Sequence, residues 1–186
     1  ALWGFVKFWS KGERKSLIES AVMLGLAIST KLLVIGSLFI FSVLMILFLR
    51  HKKSFKKLFI GLFVYWGIVL LIPLPWFVFS FVNTGNPIYP FFTDIYKVGF
   101  NLDLLNPIRF VSDVWEMFTR LSDPISPIYI IFLPLVIILF RKFKFEVILI
   151  TIYSLLAIIV WYFTPRTGGG RFILPYLPAF SILVAA

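Results

Sequence analysis

Three cationic side chains stand where charge is unexpected. Lys31 lies between two apolar runs, residues 17–30 and 32–49, and Arg166 and Arg171 bracket the turn Gly168-Gly169-Gly170. A lysine set among apolar segments is costly to bury, so it faces a cavity, pairs with an anion or reaches an interface. An arginine fork matches a phosphate in two parallel hydrogen bonds, and glycines let a backbone approach it closely. These residue types therefore suit the holding of a phosphate or carboxylate. The plainer readings are a turn lysine reaching the interface and arginines meeting ordinary lipid headgroups. Gly25, Ser29 and Thr30, just before Lys31, are small enough to let a helix or a ligand come close.

The second unusual stretch is Thr84-Gly85-Asn86-Pro87-Ile88-Tyr89-Pro90-Phe91-Phe92. Gly85 can take the positive φ of a tight turn, Asn86 can bond its own backbone, and the two prolines hold their neighbours extended. Asn86 and Tyr89 are candidates either for bracing this loop or for binding substrate. Asp94 and Asp103 have the chemistry of a general base or metal ligands, but isolated loop acids are ordinarily solvated. His51 sits among lysines and belongs to a basic surface. Phosphate-loop, nucleophile-elbow, zinc-protease and EF-hand motifs are absent, and with no cysteine there is no thiolate chemistry.

The elements that must position these residues follow from composition. The chain is 61% hydrophobic and 14% charged, far from the half apolar and quarter charged of soluble domains. Its solvent is read as lipid, where every backbone polar group must be satisfied internally, by helix. The apolar runs are too long and continuous for the alternating ten-residue strands of a barrel. The net charge of +10 does not indicate nucleic acid, because it is concentrated in short loops: Arg50, Lys52, Lys53, Lys56 and Lys57 in one, Arg141, Lys142 and Lys144 in another. That is the signature of cytoplasmic loops. Loops 50–57 and 141–146 are thus expected inside.

The expected architecture is all-α, a polytopic membrane bundle of five to six segments plus an external amphipathic helix. Residues 1–9 are expected to end a preceding span, with a basic linker over 10–16. Segments 17–30 and 32–49 form two pieces turning at Lys31, because one helix of that length would be about 50 Å against a core of about 30 Å. The first piece is short for a full span, which leaves tilt, a break or partial insertion open. Segment 58–80 is the clearest single span, with Pro73 and Pro75 in its last turns and Trp66 and Trp76 suited to its two ends. An external loop over 81–123 follows, its helix capped at Asn106-Pro107 and its apolar face carrying Phe110, Val114, Phe118 and Leu121. Segments 124–140, 147–163 (closed by an aromatic belt at Trp161-Tyr162-Phe163) and 172–186 complete the chain. Both ends are apolar, so the sequence is expected to be an internal piece of a longer protein and inactive alone.

Three pieces in order carry a family resemblance: Gly25-Leu26-Ala27-Ile28-Ser29-Thr30-Lys31; Pro75-Trp76 followed by Thr84 to Phe91; and Arg171-Phe172-Ile173-Leu174-Pro175-Tyr176-Leu177-Pro178. Together they resemble the C-type glycosyltransferase superfamily, nearest the membrane proteins related to protein mannosyltransferases and aminoarabinose transferases. The resemblance implies transfer of a sugar from a polyprenyl-phosphate carrier to an acceptor at the outer membrane face. The essential acid of that family lies in an N-terminal external loop outside this sequence, so the catalytic residue is unknown. Lys31 and Arg171 match positions near the carrier phosphate, with Arg166 as a third candidate. The implied partners are membrane lipid, the lipid-linked sugar donor and the remainder of the chain, with a divalent metal left open. A basic residue and an Asn often stand between Pro-Trp and the Gly-Asn-Pro turn in this family. Here Val78, Phe79 and Ser80 stand instead, which argues for a bracing loop.

Overall fold

The computed structural model describes residues 1–49, 55–94, 105–119, 125, 128–139, 144–164 and 172–185. Every regular element among them is a helix, so the protein is all-α. They form two compact units, Ala1–Tyr89 and Pro90–Ala186.

In the first unit, α1 (Leu2–Lys11) ends at Gly12, whose φ of 72° places it in the left-handed region while its N–H reaches Phe8 O at 2.8 Å. Helix α2 (Arg14–Thr30) starts two residues later. The linker expected over 10–16 is therefore a tight turn of Gly12 and Glu13, because glycine can close the helix end at once. Gly4 makes the hairpin close: a Cβ there would lie 2.9 Å from Ser16 O. After Lys31 come a 3₁₀ turn (Leu32–Val34), α3 (Ile35–Leu49) and α4 (Phe55–Leu71).

Specific pairs set the helix directions. The hydroxyls of Ser20 on α2 and Tyr65 on α4 are 3.1 Å apart, and Gly25 meets Val69 and Ile72 further along, so α2 and α4 run parallel. Trp66 Nε1 donates to Ser42 Oγ at 2.8 Å and Met45 approaches Gly61, which makes α3 antiparallel to α4. Trp66 is thus tied to a neighbouring helix partway along α4 instead of marking a span end. Phe5 stacks on Phe41 at 4.5 Å, and Tyr65 stands edge-on to both. The Gly12–Glu13 turn and the start of α4 consequently share one end of this unit, while Lys31 and Leu71 lie at the other.

The buried Ser20–Tyr65 pair yields an expected result. Either Tyr65→Phe or Ser20→Ala breaks this buried hydrogen bond and should cost about 1–2 kcal/mol, whereas the double variant should cost less than the two together. Thermal unfolding of the four proteins in detergent measures this coupling.

The segment expected as one span over 58–80 is instead two helices. After α4 the chain turns at Ile72-Pro73 into α5 (Leu74–Thr84), bent by 60°. Pro73 has no N–H to offer the Val69 carbonyl, and Pro75 has none for Leu71, so two rungs of the helix ladder are lost within three residues. Helix α5 also runs past residue 80 to Thr84, into what the sequence suggested was loop.

In the second unit, α6 (Pro107–Thr119) begins where Asn106 accepts Ile108 N at 3.0 Å through Oδ1 and Phe110 N through its carbonyl. Its inner face carries Phe110, Val114, Met117 and Phe118; Leu121 lies outside the described residues. A second apolar row on α6, Ile108, Val111 and Trp115, is exposed. Helix α7 (Ile128–Leu139) contains Pro134, and the caps expected at Asp123-Pro124 or Ser126-Pro127 lie outside the described residues. Helix α8 (Phe145–Phe163) packs against α6 and α9 (Leu177–Ala185). Trp161 and Tyr162, expected in an aromatic belt, are instead buried, Tyr162 edge-on to Phe110 at 4.9 Å. The amphipathic helix α6 covers Tyr162 through Phe110. Residues 172–176 form a 3₁₀ stretch before α9, as Pro175 and Pro178 withhold two donors.

Among the described residues, α8 alone is a continuous helix long and apolar enough to cross a membrane, and the bent α4–α5 pair is a second if counted as one span. The stretches Leu32–Leu47 and Phe172–Ala185 are apolar but shorter.

Candidate functional site

Lys31 occupies the junction of two helical segments. Its φ and ψ of −149° and 107° are extended, and its N–H closes α2 on Ala27 O at 3.0 Å. Ser29 Oγ donates to Gly25 O and Thr30 Oγ1 to Ala27 O, so both hydroxyls serve the helix end. The side chain is half-buried. A cation at this position also faces the negative end of the α2 dipole, an attraction of about 0.3–1 kcal/mol at exposed sites. Gly25 is filled by a helix instead of a ligand: a Cβ there would stand 2.9 Å from Val69 O and 2.8 Å from Ile72 Cδ1.

The turn after α5 is built from short-range hydrogen bonds. Gly85 takes φ 72° and caps α5 by donating to Phe81 O at 2.8 Å. Asn86 Oδ1 accepts Ile88 N at 3.0 Å, a side-chain turn that leaves this oxygen engaged within the loop. The Asn86 carbonyl accepts Ser80 Oγ at 2.8 Å, Thr84 Oγ1 at 3.1 Å and Tyr89 N at 3.3 Å. Thr84 Oγ1 also accepts Asn86 N at 3.2 Å. Tyr89 is exposed.

Ser80 is the residue that sequence reasoning undervalued. Although nearly buried at the end of an apolar helix, it spends its hydroxyl on the turn six residues ahead. The available signal was a hydroxyl residue one turn before a Thr-Gly-Asn stop. Phe92 was also missed: its φ of 58° is unusual for a residue with a Cβ and costs on the order of 1 kcal/mol. Nothing in its composition foretold this, since glycine or asparagine normally takes such a conformation.

These hydrogen bonds lead to a further expectation. Asn86→Ala should cost about 1 kcal/mol by orphaning Ile88 N, while Asn86→Asp keeps the acceptor and should be tolerated. Thermal unfolding of both variants separates a bracing role from one that needs the amide donors.

Lys31 and the Asn86 turn lie at the same end of the first unit. Lys31 is about 9 Å beyond Gly25 along α2, and Gly25 sits level with Val69 and Ile72. Helix α5, inclined at 60°, carries Thr84 about 8 Å beyond the end of α4. The basic residues Lys11, Arg14, Lys15 and Lys56 are at the opposite end. Arg166 and Arg171 lie outside the described residues, as do Asp103 and His51, and Asp94 is exposed. Among the described residues no three histidine or acidic side chains converge as a metal site would require. No protein-family model, curated protein or solved structure matches this chain.

Proposed function

We propose that this chain is part of a polytopic membrane glycosyltransferase that moves a sugar from a polyprenyl-phosphate carrier to an acceptor at the outer membrane face. In this reading the segments 17–30, 32–49, 58–84, 124–140, 147–163 and 172–186 enter or cross the bilayer. One observation carries it: two elements of the family resemblance, the helix end at Thr30-Lys31 and the Thr84–Tyr89 turn, share one end of a helical unit whose other end is basic. A basic end suits the cytoplasmic leaflet. On this reading Lys31 is on the outer side, where a lipid-linked phosphate would be met by a lysine ammonium with few competing bases nearby. The chain's contribution is electrostatic: Lys31, Arg171 and Arg166 hold the negative charge of the phosphate leaving group, and the Asn86 turn keeps the outer end of α5 in place. The catalytic acid belongs to sequence outside this chain.

The test is transfer from a polyprenyl-phosphate sugar by the full-length protein in proteoliposomes. Lys31→Glu should raise the KM for the lipid-linked donor about tenfold or more, as loss of a charge-assisted contact worth about 1.5–3 kcal/mol implies. Donor kinetics unaltered by this reversal would remove Lys31 from the carrier site.

A secondary transporter is the second reading, favoured by the broken α4–α5 helix. In such proteins broken helices meet near the bilayer midplane. Here the break lies about 21 Å along the apolar helix from Leu58, well past the middle of a core of about 30 Å. Uptake of substrate by vesicles without any sugar transfer would favour it.

A further inference from the structure

We infer that α5 is a slanted helix immersed in the acyl chains of a single leaflet, its outward faces covered by lipid and not by protein. The inference rests on reading the chain as a membrane protein.

The first argument is the width of the apolar surface. Leu74, Trp76, Val78, Phe79, Phe81 and Val82 are all exposed, Trp76 at 55%, Phe79 at 59% and Val82 at 75%, and Ser80 is the only buried residue of the helix. At 100° per residue these six positions sweep an arc of about 220°, leaving the side of Phe77 and Ser80 turned to the protein. A helix that docks on one partner surface needs an apolar stripe of about 100°. An arc twice as wide suits a solvent that surrounds the helix.

The second argument is the missing rim. A protein interface has an apolar centre with a polar, solvated border. From Leu58 to Thr93 the sequence contains no charged residue, and Phe59, Phe63 and Leu71 of α4 are exposed as well. The exposed polar residues of α5, Asn83 and Thr84, are its last two, so the length of the apolar arc before them has no polar border of the kind a protein partner would share.

The third argument is length. From Leu58 to Leu71, α4 advances about 21 Å, and the eleven residues of α5 at 60° add about 8 Å. Along the axis of α4 the bent pair thus advances about 29 Å, close to the hydrocarbon thickness of about 30 Å. Unbent, residues 58–84 would reach about 40 Å and carry Asn83, Thr84 and Asn86 beyond the interface. The prolines convert surplus length into slant, and the Asn86 turn emerges at headgroup level.

The chain lacks cysteine, which makes the test direct. In the full-length protein with any other cysteine removed, Leu74, Trp76, Val78, Phe79, Phe81 and Val82 are replaced by Cys one at a time. Each is spin-labelled in proteoliposomes and relaxed by oxygen and by a water-soluble nickel chelate. Phe63→Cys on α4 and Lys56→Cys at the basic end serve as references. All six α5 labels should be more accessible to oxygen than to nickel, with depth changing by no more than about 8 Å from Leu74 to Val82. Labels shielded from both relaxers on part of the arc would mean that protein covers α5, and nickel accessibility around the arc would mean water; either overturns the inference. If Phe63 remains lipid-exposed in those cases, the membrane reading stands and only the placement of α5 fails. If Phe63 is nickel-accessible, the membrane reading fails with it.

Discussion

Arg171→Glu in the full-length protein is expected to lower sugar transfer about a hundredfold while leaving membrane insertion intact. The size follows from replacing a charge-assisted contact with repulsion, about 3 kcal/mol, at about 1.4 kcal/mol for each factor of ten. The chain immediately after Arg171 is firmly held: Phe172, Ile173 and Tyr176 are buried within the second unit. Arg171→Lys separates the two ways a cation can act. If bidentate geometry matters, the lysine variant retains only a small part of the activity; if charge alone matters, it retains most. Transfer measured with purified donor, alongside protease protection to verify insertion, decides it. Unchanged transfer in Arg171→Glu would exclude the residue from the mechanism.

The second large effect is expected at Gly25. In an isolated helix, Gly→Ala gains about 1 kcal/mol of helix propensity. Here the added methyl would meet Val69 O and Ile72 Cβ, both at 2.9 Å, and neither can swing away as the end of a flexible side chain would. Overpacking of this kind costs about 1–3 kcal/mol or more, so the clash should outweigh the propensity gain. The Val69 carbonyl is also the one that Pro73 deprives of its helical donor, and the Gly25 Cα–H in the Cβ direction points at it. We therefore expect Gly25→Ala to lower stability by about 2 kcal/mol and Gly25→Leu to separate α2 from α4. Gly67, also in α4, has nothing within 4 Å of an added Cβ. Gly67→Ala should be neutral or stabilising by up to about 1 kcal/mol. Thermal unfolding of the three variants in one detergent tests the contrast, and equal behaviour at the two glycines would remove the argument.

Local chemistry was the legible part of this protein. Helix was readable because the apolar runs admit no other way to satisfy backbone groups. The end of α2 at Lys31, the Asn106 cap and the Gly85 turn were readable because each depends on residues within four positions of one another. The prolines at 73 and 75 were noticed, but their effect was placed too late in the helix: two lost donors two residues apart stop α4 outright instead of kinking its last turn. Trp66 and the Trp161-Tyr162 pair were read as interfacial from composition alone. The structure ties Trp66 to Ser42 and buries Trp161 and Tyr162, because partners distant in sequence reach them first.

Taken alone, the sequence determined the all-helical class, the clustering of basic residues between the apolar runs, and the positions where helices must stop. Those properties arise from each residue's own backbone and its near neighbours. Only the tertiary structure decided that α2 and α4 run parallel, that Gly25 is a contact while Gly67 is open, that α5 slants by 60°, and that Lys31 shares an end with the Asn86 turn. Helices that are apolar nearly all round carry little periodic pattern to say which face meets a neighbour. Their facing is set by shape, by where one small residue meets one carbonyl, and that complementarity exists only once both helices are in place.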